Sequence, residues 1–356
     1  MYRGAAYNVF QRLRTRAGYL QVRRYVTPVS NVPDYHTDRV RPVLATHAVV
    51  DVESFRLLAW DPAIPVHLQG FHRLPAMENW ISARDLEKRP ASFASKLEAF
   101  SDTIVSYELI VSSSHGDTKS SGCSPICLRK FEAWLGRTPV SEQNRSLQTL
   151  ISQLLKTPTE NGQSRFLQFD APLGLIMQAS RYNRGQRKSS QRISQLYIAQ
   201  SEIRSLPSDL ADDLPVPDIV SQVGKGDIYG SSIWLGLQPT YTPLHRDPNP
   251  NLFCQLAGWK AVRLLRPEVG QSVFEQVRRS LGTAVNSRFR GPEMMHGPER
   301  DRLHRAIWGE PDGLRDIWQA TVSPGDALFI PQGWWHSIRS VGYDAELNAS
   351  ANWWFR

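Results

Sequence analysis

Cysteine is scarce: Cys123, Cys127 and Cys254 are the only three in 356 residues. So sparse and odd a set cannot build the paired framework of a disulfide-stapled secreted domain. No apolar run approaches the ~20 residues that a bilayer-spanning helix needs, so no membrane partner is expected. Acidic residues are missing from the start of the chain, the first being Asp34. Arg3, Arg12, Arg14, Arg16, Arg23 and Arg24 all precede it. The formal net charge of +8 hints at nucleic acid, yet setting those six arginines aside leaves only +2 for the rest. The basicity is a property of the N-terminus, and DNA is not an expected partner of the body.

That basic start also carries Tyr7, Val9, Phe10, Leu13, Tyr19 and Leu20 between its arginines. Arginine-rich, acid-free and amphipathic, residues 1–33 read as a mitochondrial presequence, with Arg23-Arg24-Tyr25 as a cleavage site. A disordered basic tail, a binding arm or a mis-assigned start are the alternatives; without import the protein would be cytoplasmic or nuclear.

What is present suits a globular enzyme. Hydrophobic residues make up 41% of the chain, enough for a large core, and eleven are tryptophans. Residues 34–190 read as a mixed helical cover. It has a helical run over 49–60 broken by Asp61-Pro62, a short helix from 97 feeding a strand over 103–110, and helices over 128–135 and 146–155. Residues 112–125, rich in Ser and Gly, read as a mobile loop. His115, Cys123 and Cys127 give only a weak zinc signal, and incidental cysteines in and beside a loop are the favoured reading. The basic run Arg181–Lys188 reads as a solvated loop that could also face an acidic partner or RNA.

From 191 to 356 the pattern turns to strands, expected over 197–200, 232–237, 252–256, 260–265, 318–322, 327–330, 335–341 and 347–355. Eight short strands separated by Pro, Gly and Asn signals suit a double-stranded β-helix, the jelly roll that encloses a small-ligand cavity in cupins. The expected fold class is therefore mainly β with an α cover. An arginine-rich, partly helical insertion over 268–317 interrupts the strands and reads as a flap facing the substrate. Trp353 and Trp354 are expected in the core, with one of them able to wall the active site.

The chemistry is concentrated in His245-Arg246-Asp247 and, far along the chain, Trp334-Trp335-His336. In an extended segment residues i and i+2 share a face, so His245 and Asp247 can offer a nitrogen and an oxygen to one point. His336 from a distant strand would complete two histidines and one carboxylate on one side of a metal. Three coordination positions then stay open, the arrangement of non-haem Fe(II) oxygenases. The bland alternatives are a surface turn for His245 and Asp247, helped by Asp-Pro and Asn-Pro, and a satisfied core histidine for His336.

The surroundings decide between these readings. The stretch from Trp234 through His245, Asp247 and Asn251 to Lys260 resembles the JmjC family of Fe(II)/2-oxoglutarate oxygenases, most closely its small, reader-less protein-hydroxylase members. Val322-Ser-Pro-Gly-Asp326 through Ile330-Pro331 to Trp334-Trp335-His336 is similar to the family's second half. Leu196-Tyr197-Ile-Ala-Gln200 and, more faintly, Pro65-Val-His-Leu-Gln-Gly70 with Pro75 and Trp80 extend the likeness upstream, to cover about Pro65 to Arg356.

The resemblance implies Fe(II) on His245, Asp247 and His336, with 2-oxoglutarate as cosubstrate and O2 as oxidant. It implies that Lys260 anchors the far carboxylate of the cosubstrate, helped by the hydroxyls of Thr242 and Tyr197, and that the Asn251 amide contacts the cosubstrate. Thr242 stands where close relatives often have Ser. Physics agrees about Lys260, because a buried ammonium needs an anionic partner; an exposed strand lysine, a core tyrosine and turn residues are the plainer readings of these positions. The expected reaction is hydroxylation of a protein side chain with release of succinate and CO2. An N-methyl-lysine or N-methyl-arginine demethylase, a tRNA-base hydroxylase, a catalytically inactive JmjC-like scaffold and a cupin dioxygenase without 2-oxoglutarate are the alternatives. The chain lacks the C-terminal helices by which some relatives pair, so a monomer is expected.

Overall fold

The computed structural model of the protein describes residues 9–15, 18–24, 40–47, 50–82, 91–112, 122–137, 141–156, 164–282, 295, 297–309 and 316–356. In chain order its strands are β1 (Val9–Thr15), β2 (Gly18–Arg24), β3 (Val40–Pro42), β4 (Leu44–His47), β5 (Val66–Gln69), β6 (Ile81–Ser82), β7 (Ser92–Phe93), β8 (Ile104–Val111) and β9 (Arg165–Pro172). There follow β10 (Leu196–Glu202), β11 (Ile228–Leu237), β12 (Tyr241–Arg246), β13 (Asn251–Ala257), β14 (Trp259–Leu265), β15 (Ile317–Val322), β16 (Ala327–Ile330), β17 (Trp335–Val341) and β18 (Leu347–Phe355). Two sheets face each other as a jelly roll. The larger has the order β4-β5-β16-β13-β18-β11-β10-β8-β9 and the smaller β12-β17-β14-β15-β3.

The expected eight strands are all present, and the likeness to cupins holds. The cover supplies strands as well as helices: β8 where a strand was expected, and β3, β4, β5 and β9 besides, all of which extend the two sheets. The basic run at 181 is also corrected. Arg181 and Arg184 end the helix Gly174–Arg184 rather than sitting in a loop. That helix buries Gln178, Ser180 and Asn183 beside its apolar residues, and Asn183 pairs with both backbone groups of Ile193 at 2.7 Å. Of the basic start, β1 and β2 pair as an antiparallel hairpin. His115 and most of the 112–125 stretch lie outside the described residues, while Cys123, Cys127 and Cys254 are buried and free.

The insertion is no flap over the mouth where it is described. Alternation along β14 and β17 turns Ala261, Leu265 and Trp335 away from the interior, leaving an apolar outer face that needs cover. The helices Pro267–Ser280 and Gly297–Trp308 supply it with Val273, Phe274, Val277, Leu303, Ile307 and Trp308. Gly270 lets the first of them lie directly on Trp335, for a Cβ at that position would overlap the indole. A part-buried ion pair, Arg278–Glu299 at 2.7 Å, joins the two helices.

The upstream and downstream motifs meet in the fold. Asp326, in the Pro-Gly-Asp turn before β16, accepts from Gly70 N (2.9 Å), Ser323 N (2.9 Å), Ser323 Oγ (2.8 Å) and His67 Nε2 (3.0 Å). Burial alone would raise its carboxyl, but these donors outweigh that and hold it down at about 2. Because the carboxylate is favoured in the folded state, its contribution is complete above its unfolded value near 3.8 and is lost as pH falls through about 2. Asp326→Ala strands the Gly70 and Ser323 amides, and chemical denaturation should show a loss of roughly 3 kcal/mol. An unchanged stability would dismiss this lock.

Candidate metal centre and cosubstrate pocket

His245 and His336 are direct cross-strand partners on β12 and β17, after a bulge in β12 between Thr242 and His245. Their ring centroids are 4.2 Å apart. Asp247 lies just past the end of β12, where Pro248 and Pro250 turn the chain into β13. Its Oδ1 is 3.8 Å from His245 Nε2 and its Oδ2 is 3.5 Å from His336 Nε2. One donor atom from each of the three residues fits within 4.8 Å of the others, the only such cluster found among the described residues.

Second contacts fix which nitrogens face the cluster. His245 Nδ1 is 2.8 Å from the Pro243 carbonyl and His336 Nδ1 is 3.2 Å from that of Trp334. A carbonyl only accepts, so each Nδ1 carries the proton and each Nε2 keeps its lone pair towards Asp247. His336 is 1% exposed. Burial first, and the neighbouring His245 second, push its imidazole well below the usual histidine range, so it stays neutral and able to ligate. The donor set of two imidazole nitrogens and a carboxylate fits Fe(II), as the sequence suggests.

From this cluster a cavity of about 330 Å³, counting its mouth, runs between the sheets. It brings together all seven residues singled out in the sequence: Tyr197, Thr242, His245, Asp247, Asn251, Lys260 and His336. Trp234, Phe253, Ile338, Asn352 and Trp354 complete the lining. Trp354 thus walls the site, whereas Trp353 is core.

Lys260 is 2% exposed, at the inner end. Its Nζ donates to Ser350 Oγ at 2.8 Å, lies 3.4 Å from Tyr197 Oη, and sits over the Phe253 and Tyr197 rings at 5.2 and 5.7 Å. Among the described residues no carboxylate lies within ion-pair distance of it, and burial lowers its ammonium to about 7. A buried cation held by hydroxyls and ring faces, with no counter-charge, is what an incoming carboxylate would complete. Burial likewise pushes the Tyr197 hydroxyl far up, so it stays a neutral donor.

Besides lining the cavity, Asn251 is tied into the cluster by hydrogen bonds. Its Nδ2 donates to Asp247 Oδ2 at 2.9 Å and its Oδ1 accepts from Asn352 at 3.2 Å. Its amide nitrogen is therefore directed at the Asp247 carboxylate. Ser350, Asn352 and Trp234 were not legible as site residues. The one available signal was the alternation of polar Asn348, Ser350 and Asn352 with Leu347, Ala349 and Ala351 along the last strand.

Comparison with known proteins agrees with this geometry. Residues 60–356 match the family described as the cupin-like domain. The "Lysine-specific demethylase 8" of Danio rerio is 30% identical over 161 residues, 45% of this chain and 36% of that protein. The "Jumonji C domain-containing protein 5" of Drosophila melanogaster is 29% identical over 161 residues, 44% of this chain and 36% of that one. The "Lysine-specific demethylase JMJ30" of Arabidopsis thaliana is 25% identical over 159 residues, covering 45% and 33%. The matched part is about a third of the length of these relatives.

Proposed function

Since the chain belongs to the cupin-like domain family, and within it to the JmjC oxygenases, we propose that it hydroxylates a side chain of a protein substrate, using Fe(II), 2-oxoglutarate and O2. One observation carries this reading: a His-Asp-His cluster and an unneutralised buried lysine share a single cavity. Iron bound there would supply the activation of O2 that couples decarboxylation of the cosubstrate, to succinate and CO2, with oxidation of the substrate.

The remaining work falls to the protein. His245, Asp247 and His336 would hold the metal through their imidazole nitrogens and carboxylate, at the wall of the cavity. Lys260 takes the far carboxylate of the cosubstrate, with the hydroxyls of Ser350, Tyr197 and Thr242 as further polar contacts. Phe253, Ile338 and Trp354 exclude water, which strengthens every charge interaction within.

Two of the three relatives compared carry the name lysine-specific demethylase, which supports a protein as substrate and keeps demethylation as the second reading. Its first step is the same, since hydroxylation of an N-methyl carbon releases formaldehyde. Hydroxylation is preferred because the arginine-rich, acid-free start favours mitochondrial import, away from histones. Incubation with a mitochondrial protein extract and isotopically labelled O2 distinguishes them. Stable gain of one labelled oxygen on a peptide, absent with Asp247→Ala, is expected; release of formaldehyde with loss of a methyl group would replace hydroxylation by demethylation.

A further inference from the structure

The Asp247 carboxylate is the end of a chain of hydrogen bonds that crosses three strands. Trp234 Nε1 on β11 donates to Asn352 Oδ1 at 2.8 Å. Asn352 Nδ2 on β18 donates to Asn251 Oδ1 at 3.2 Å. Asn251 Nδ2 on β13 donates to Asp247 Oδ2 at 2.9 Å. Asn352, Asn251 and Asp247 are 1%, 4% and 7% exposed, so water does not substitute for these partners.

Chemistry fixes the direction of this chain. An indole N–H only donates and a carboxylate only accepts, whereas each amide between them can turn either way. With Trp234 at one end, Asn352 must turn its oxygen to the indole and its nitrogen to Asn251. Asn251 must then turn its oxygen to Asn352 and its nitrogen to Asp247. Take the indole donor away and Asn352 is free to turn its oxygen towards Asn251 Oδ1, which leaves the Asn251–Asp247 hydrogen bond without support from behind.

We propose that Asn352 and Trp234 are positioning residues for the metal, which act through Asn251 to hold Asp247 in its ligating orientation. The proposal rests on the reading of the His-Asp-His cluster as a metal centre. Trp234 needs no contact with the ion to set its affinity. Its hydrogen bond counts separately from its packing on Tyr197, whose ring centroid lies 5.9 Å away, because phenylalanine can keep much of the second and none of the first.

The test is Mn(II) binding by calorimetry under matched conditions, since Mn(II) accepts imidazole and carboxylate donors. The full chain is compared as wild type, Trp234→Phe, Asn352→Leu and the double variant, with apo melting temperatures measured beside them. Outer-shell substitutions weaken metal binding roughly 10- to 100-fold, so Asn352→Leu is expected in that range and Trp234→Phe at its lower end. The double variant should bind no worse than Asn352→Leu alone, because an indole has nothing to orient once the amide is gone. Trp234→Phe with wild-type affinity, or two effects that add, would overturn the relay. If Asn352→Leu does not fold, Trp234→Phe against wild type decides alone. Failure of the wild type to bind Mn(II) would instead remove the metal centre, and the relay with it.

Discussion

Asp247→Ala should abolish metal binding and, with it, all turnover. The carboxylate is the only anion in the cluster, and it lies 3.8 Å and 3.5 Å from the two histidine Nε2 atoms. Without it only the two imidazole nitrogens face the cavity, a weaker and less charged site for a hard divalent ion. The loss should exceed the roughly 100-fold upper range of outer-shell substitutions. The effect is readable without a substrate. Metal at about 100 times its Kd stabilises a folded protein by about 2.7 kcal/mol, so the wild type should melt higher with Mn(II) and the variant should not. A variant that keeps that rise would place the ion elsewhere.

The second large effect is at Lys260, and it has opposite signs on stability and on binding. The ammonium is buried without a counter-charge, so Lys260→Met, which keeps the volume, should leave the apo protein as stable or more so. The same change should weaken 2-oxoglutarate binding by about 3–4 kcal/mol, a factor of several hundred, because the cosubstrate carboxylate would then be buried unpaired. Metal affinity should not move.

The wild type carries a pH signature of the same group. Burial lowers Lys260 from 10.5 to about 7, so the free protein loses this proton as pH rises through about 7. Folding binds fewer protons than the unfolded chain between about 7 and 10.5, and apo stability therefore rises with pH across that window. Cosubstrate binding requires the charged form, so its affinity should be level below about 7 and fall above it, by up to tenfold per pH unit. In Lys260→Met both slopes should vanish. If the variant binds 2-oxoglutarate as the wild type does, the cavity serves another ligand.

The site was far more legible in the sequence than the architecture around it. His245, Asp247 and His336 declare themselves because metal ligation restricts residue type and spacing, and Lys260 because a lysine on an inward-facing strand position lacks a plain reason to be there. Asn251 was legible as a cavity residue, but its hydrogen bond to Asp247 was not, since an amide can serve a ligand or a carboxylate alike. Its continuation through Asn352 to Trp234 joins strands more than 100 residues apart in sequence and leaves no local trace.

The early strands were obscure for a different reason. In β5, Val66, His67 and Leu68 are all buried, so no alternation marks the strand, and His67 owes its burial to Asp326 far downstream. The helix Gly174–Arg184 hid because it buries two amides and a hydroxyl, Gln178, Asn183 and Ser180, which blurs the apolar stripe. The insertion was legible as partly helical, but its place on the back of the small sheet depended on the outward faces of β14 and β17, known only once those strands are registered.

The most direct measurement is conversion of 2-oxoglutarate to succinate by the purified protein with Fe(II), ascorbate and O2, beside Asp247→Ala. Enzymes of this chemistry can turn over cosubstrate slowly without their substrate, so no target need be known. Succinate from the wild type and none from the variant is the expected result. Equal background in both, with neither Fe(II) nor 2-oxoglutarate bound by the wild type, would contradict the oxygenase and leave a cupin scaffold.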